Sequence, residues 1–155
     1  MSVNVKRILG DESYTVIDAK GHILGRLSSK IAKRLINGEN IVIVNAEKAV
    51  ITGQRSMNLN KYVEKSERGS QESGPYFPRH PESIFKRTVR GMLPWKSRRG
   101  REAFKRLKVF IDVPEELRDM QFEYIDDALM EKVSKTDRYI TLGEVSKYLG
   151  SKVIA

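Results

Sequence analysis

The first fifty residues predict an α/β fold built on a small parallel sheet. Three observations carry that prediction. YTVID at 14–18 is a short run of β-branched and aromatic residues bounded by polar ones. Residues 24–37 place Leu24, Leu27, Ile31 and Leu35 at spacings of three and four, the helical period. IVIVN at 41–45 is apolar without alternation, as in a strand buried on both faces. Strand, helix and strand at this spacing make a βαβ unit with parallel strands. A length of 155 suits a single domain, residues 1–155, with a real core.

The remaining elements follow in order. Lys20-Gly21-His22 turns the chain from the first strand into the first helix. Arg26, Lys30, Lys33 and Arg34 line that helix opposite its apolar stripe, and Gly38 stands where a C′ glycine belongs. AVITG at 49–53 predicts another strand, and Ser56–Arg68 a polar helix with a weak stripe of Met57, Leu59, Tyr62 and Val63. GSQESGPYFPRHP, 69–81, holds two Gly and three Pro and reads as a loop. KVFIDV (108–113) predicts a strand closed by Pro114. QFEYI (121–125) alternates weakly, and DDALMEKV suggests a short helix. Thr141 to Glu144 has capping-box form and opens a last helix through Leu149, with Gly150 ending it.

Between loop and strand lies the stretch around which the function turns. Positions 79–108 hold eleven Lys or Arg and two Glu, a net of +9, which is also the net charge of the whole chain. The basic excess is therefore one continuous segment, and a lone positive block points to a polyanion. The segment is predicted to fold as a basic helical arm. Pro81 suits a first helical turn. Ile84, Phe85, Val89, Met92 and Leu93 share one half of the wheel, with Lys86, Arg87 and Arg90 on the other. Pro94 stops that helix. Ser97 is the N-cap of a second, whose apolar side is Ala103, Phe104 and Leu107 and whose remainder is Arg98, Arg99, Arg101, Lys105, Arg106 and Lys108. Trp95 and Lys96 occupy the turn. From Asp112 onward the sign reverses, with ten acids against six bases, and this acidic part (112–155) either packs behind the arm or faces other partners.

Several chemistries find no support. With no cysteine there is no disulfide or thiolate metal site. Only His22 and His80 are present and neither lies in a metal pattern, so no metal is expected. GHILGR at 21–26 is neither dinucleotide fingerprint nor P-loop, and no cofactor or small-molecule substrate is expected. The Gly21–Arg26 strand-to-helix turn still suits a phosphate, here one of RNA. No catalytic constellation is visible. No apolar run approaches membrane-spanning length, and MSVNVKRILGDE has no signal-peptide core, so a cytoplasmic location is expected.

The run FKRTVRGMLPWKSRRGREAFKRLKVF (85–110) closely resembles the signature of the L-thirteen family of large-subunit ribosomal proteins. VIDAKGHILGRLSSKIAKRL (16–35), IVIVNAEKAVITG (41–53) and ITLGEVSKYLG (140–150) agree in order, and the details are similar to the archaeal and eukaryotic branch. Trp95 and Gln54 depart from the usual pattern, as does the short acidic C-terminus. The resemblance implies a three-layer α/β/α sandwich with a small, mostly parallel sheet. It implies a non-catalytic structural role in the large ribosomal subunit, binding large-subunit rRNA beside neighbouring ribosomal proteins and supporting assembly. The residues expected to meet rRNA are Gly21, His22, Arg26, Lys30 and Arg34 near the first helix, then Arg55. In the arm they are Arg79, His80, Lys86, Arg87, Arg90, Trp95, Lys96, Arg98, Arg99, Arg101, Lys105, Arg106 and Lys108. A free RNA-binding regulator of translation and an enzyme on a phosphorylated substrate are the alternatives.

Overall fold

The chain runs β1 (Thr15–Asp18), α1 (Leu24–Ile36), β2 (Ile41–Val44), β3 (Val50–Thr52), α2 (Arg55–Glu67), α3 (Pro81–Met92), α4 (Arg98–Lys105), β4 (Leu107–Val109), α5 (Met130–Val133), β5 (Tyr139–Thr141) and α6 (Leu142–Tyr148) in the computed structural model. The structure describes residues 9–152. Residues 1–8, on which the reading of the N-terminus largely rests, lie outside it.

β1, β2 and β4 form a parallel sheet with β2 in the middle. All four β2 residues are buried, which is why their sequence shows no alternation. The pleat still sorts the side chains. Ile17, Ile41, Ile43, Leu107 and Val109 join the cluster that holds α1 and α3, whereas Val16, Val42 and Val44 pack with Leu117. The first face is covered by helices. Among the described residues the second is covered by Leu9, Tyr14, Phe110, Val113, Phe122 and a short 3-10 turn at Glu115–Leu117.

α1 seats Leu24, Leu27, Ile31, Ala32 and Leu35 in the core. Full burial of each larger side chain contributes about 1.5–3 kcal/mol. Gly38 ends the helix at φ +100°, donating its N–H to the Leu35 carbonyl at 3.1 Å. β3 and β5 make a separate antiparallel pair. The predicted 108–113 strand is shorter than expected: β4 ends at Val109, where its partner β2 runs out at Val44 before the positive φ of Asn45, and Asp112, at φ 57°, turns further on. QFEYI contributes one parallel bridge, Glu123 to Ile17. DDALMEKV divides into a 3-10 turn and α5.

The arm folds as two helices on the core. Pro81 is the first residue of α3, and Ile84, Phe85 and Val89 are buried. Met92, expected on the apolar side, is 43% exposed at the helix end. Ser97 caps α4, its Oγ accepting from Gly100 N–H at 3.1 Å and donating to the Pro94 carbonyl at 2.8 Å. Trp95 meets Phe104 edge to face at 5.2 Å, and the Arg90 guanidinium lies 4.2 Å from the Trp95 ring centre. The turn thus sets the angle between the helices.

Candidate nucleic-acid interface

The acidic C-terminal part packs behind α3 without neutralising the arm. α6 touches α3, and the Ser146 hydroxyl donates to the Arg79 carbonyl at 2.5 Å. Four of its carboxylates pair with cations elsewhere. Asp127 meets Lys30 at 3.2 Å, Glu123 meets Arg34 at 2.7 Å, Asp112 lies 3.9 Å from Lys48, and Glu144 meets Arg55. Among the described residues the one ion pair of the arm is Arg98 with Glu102, one turn apart and exposed. Residues 79–108 keep a net charge of +9 with both of their glutamates counted, so the positive potential of the arm persists.

Lys96, Arg98, Arg99, Arg101 and Lys105 are all exposed around the turn and along α4. Arg87 is exposed on α3, with its guanidinium 5.5 Å from the Phe77 ring. Lys86 and Lys108 are half-buried and adjacent. Burial, then the like charge of Lys108, holds the Lys86 amine below its ordinary value. Arg79 and His80 are exposed where the loop enters α3, and His80 Nδ1 lies 2.9 Å from Ser151 Oγ.

Three expected contacts are redirected. His22 is fully buried, not at the surface. The Ile125 N–H donates to its Nε2 at 3.1 Å, which leaves the proton on Nδ1 for the Lys20 carbonyl at 3.1 Å. Arg34 is spent within the fold. Its Nη1 and Nη2 fork onto Glu123 at 2.7 and 3.1 Å, and its Nε reaches Glu39 at 2.8 Å. Arg106 turns inward, donating from Nη2 to the Leu35 carbonyl at 2.6 Å, where the negative end of the α1 dipole favours a cation. Little of this shows in one-dimensional spacing, because Glu123, Ile125 and Leu35 are distant in sequence from the side chains they hold and only Lys20 and Glu39 are near. The Gly21 turn is also closed. Its N–H goes to Lys48 and its carbonyl takes the Met130 N–H. What remains open is the first turn of α1, where Gly25 and Arg26 are exposed and no side chain caps the helix.

Sequence reasoning passed over a second basic group. Lys61, Lys65 and Arg68 on and after α2 gather near Arg87, and all four line one cleft of about 630 Å³. Their spacing on α2 was the available signal.

An α/β domain carrying a strongly basic, arginine-rich helical pair has the charge pattern of the polyanion-binding class. The family profile for ribosomal protein L13 matches residues 12–116. The chain is 71% identical to the large ribosomal subunit protein uL13 of Archaeoglobus fulgidus, over 97% of each chain. It is 58% identical to that of Methanosarcina barkeri, over 89% of this chain and 99% of the other, and 49% identical to that of Methanocaldococcus jannaschii, over 89% and 98%. The chain belongs to the ribosomal protein L13 family, in its archaeal-type branch.

Proposed function

We propose that this chain is a structural constituent of the large ribosomal subunit, working in the cytoplasm as one domain that binds large-subunit rRNA through the α3–α4 arm and supports assembly beside neighbouring ribosomal proteins. The observation that carries the reading is charge sorting. Four carboxylates of the C-terminal part, Asp112, Glu123, Asp127 and Glu144, pair with Lys48, Arg34, Lys30 and Arg55. None of these pairs reaches α4, whose exposed cations, among the described residues, form an ion pair only with Glu102 of their own helix. Arginine suits the task because its planar fork binds phosphate bidentately and stacks on bases. Of the expected contacts, Gly21, His22 and Arg34 are left out, Lys30 and Arg55 are already paired with carboxylates, and Arg106 acts from within the fold.

The test changes Arg98, Arg101 and Lys105 together to Gln. All three are exposed, so each should move stability by less than about 0.5 kcal/mol. Filter binding to a large-subunit rRNA fragment should give a log K against log salt slope of about 4–7 for the parent, shallower by about 2–3 for the variant. In lysates the parent should sediment with the large subunit at high salt. A parent found mostly unbound, or a variant that binds and assembles like the parent, refutes the reading.

A further inference from the structure

The cleft between α2, α3 and the 69–77 loop has features that the fold itself does not require. Gly25 and Gly91 both line it from helical positions. A Cβ at either would meet nothing within 4 Å, and neither has a positive φ, so internal packing does not demand glycine there. Glycine within a helix is less favourable than alanine. One thing a bare helix surface gains is close approach of a ligand to the backbone.

The cationic side chains point the same way. Lys61, Lys65, Arg68 and Arg87 line the cleft and no carboxylate does. Arg68 pairs with Glu64 through an exposed contact one turn away, which offsets one of the four positive charges. The Lys65 ammonium lies 5.3 Å from the Tyr62 ring and 5.9 Å from the Phe77 ring, and Arg87 covers Phe77. Burial, and then the like charges of Lys61, Arg68 and Arg87, holds Lys65 below its ordinary value. An anion would relieve that crowding. The cleft volume falls within the roughly 300–1,000 Å³ of small-ligand sites. Unstacked RNA bases are commonly held on aromatic or guanidinium planes with their phosphates on cations.

We propose that this cleft receives a single nucleotide splayed out of the rRNA, its phosphate among Lys61, Lys65 and Arg68, its base on the Arg87–Phe77 stack and its backbone passing over Gly25 and Gly91. The proposal rests on the rRNA-binding reading but on residues apart from α4. The experiment uses the full chain and a large-subunit rRNA fragment, with the variants G25A/G91A and K61Q/R68Q. Both should melt at or above the parent temperature, since the added methyls meet open space and the two cations are exposed. Both should bind at least tenfold more weakly. Ultraviolet crosslinking of the parent complex, followed by nuclease digestion and mass spectrometry, should place nucleotide adducts within residues 61–77. Parent-like affinity in G25A/G91A, or adducts confined to residues 95–108, overturns the cleft proposal and leaves the arm reading standing. Failure of the parent to bind the fragment overturns both.

Discussion

Gly100 should resist substitution by alanine even though it lies in a helix. A Cβ there would fall inside 3.0 Å of the Pro94 carbonyl and within 3.1 Å of its ring. That carbonyl cannot retreat cheaply, because it accepts from both the Ser97 N–H at 3.0 Å and the Ser97 hydroxyl at 2.8 Å. Alanine gains up to about 1 kcal/mol of helix propensity. Overpacking costs about 1–3 kcal/mol. Moving α4 off the turn also loosens the Ser97 cap, worth about 1 kcal/mol, and the Trp95–Phe104 contact, worth about 0.5–1.5 kcal/mol. The net expectation is a loss of about 1–3 kcal/mol. At about 2–4 °C per kcal/mol for a domain of this size, the thermal midpoint should drop by about 2–12 °C. Calorimetry on Gly100→Ala beside Gly91→Ala, whose Cβ meets open space, is the assay. A Gly100→Ala midpoint at or above the parent value would refute the packing account of the turn.

Arg34→Gln should lower stability by about 1–2 kcal/mol, since it breaks a half-buried fork onto Glu123 and Glu39. It should leave rRNA affinity within twofold, read by melts and filter binding. His22 predicts a pH effect. Burial holds its pKa below the ordinary 6.5, against weaker upward pulls from Lys20 and Asp18. The folded state then takes up a proton less readily than the unfolded one. Its contribution is present in full above about pH 6.5 and is lost as pH falls toward the lowered folded value. Melts from pH 7.5 down to 5 should show a steeper loss in the parent than in His22→Gln, whose amide oxygen still accepts from Ile125; equal slopes would reject this. Phe85→Ala should cost about 3–5 kcal/mol in urea denaturation, because that ring is fully buried. Phe104→Ala should cost less, because its ring is half-buried against Trp95.

Elements whose cause is local were legible in the sequence. The Leu24–Leu35 repeat, the Ile41–Val44 run, Pro81, the Ser97 cap and Gly38 each act within a few residues, and the structure puts each where its chemistry places it. The short edges were not. Tyr139–Thr141 becomes a strand only because Val50–Thr52 lies opposite, a pairing across almost ninety residues. The predicted 108–113 strand failed at its end because its partner β2 stops at Val44, a limit set elsewhere in the chain. The site divides along the same line. Exposure of the α4 cations follows from one helical wheel. The fates of His22, Arg34 and Arg106 depend on Ile125, Glu123 and Leu35, which no wheel contains.

The charge pattern shows why an acidic C-terminal part and a basic arm coexist in one chain. Had the tail carboxylates faced the arm, opposite charges would have met at the surface, each pair gaining little while cancelling the field that attracts RNA. The tail instead meets α3 through apolar residues and a hydroxyl, with Val145 and Leu142 buried and Ser146 on the Arg79 carbonyl. Four of its carboxylates go to Lys30, Arg34, Lys48 and Arg55. Cations at those places would otherwise spread the positive field around the molecule and weaken its direction. Pairing them narrows the field to the arm and to the cleft beside α2, so that diffusional approach of a polyanion favours one face. On this reasoning the acids of the tail serve recognition by what they neutralise elsewhere, and the +9 of residues 79–108 acts as a patch because the rest of the chain sums to zero.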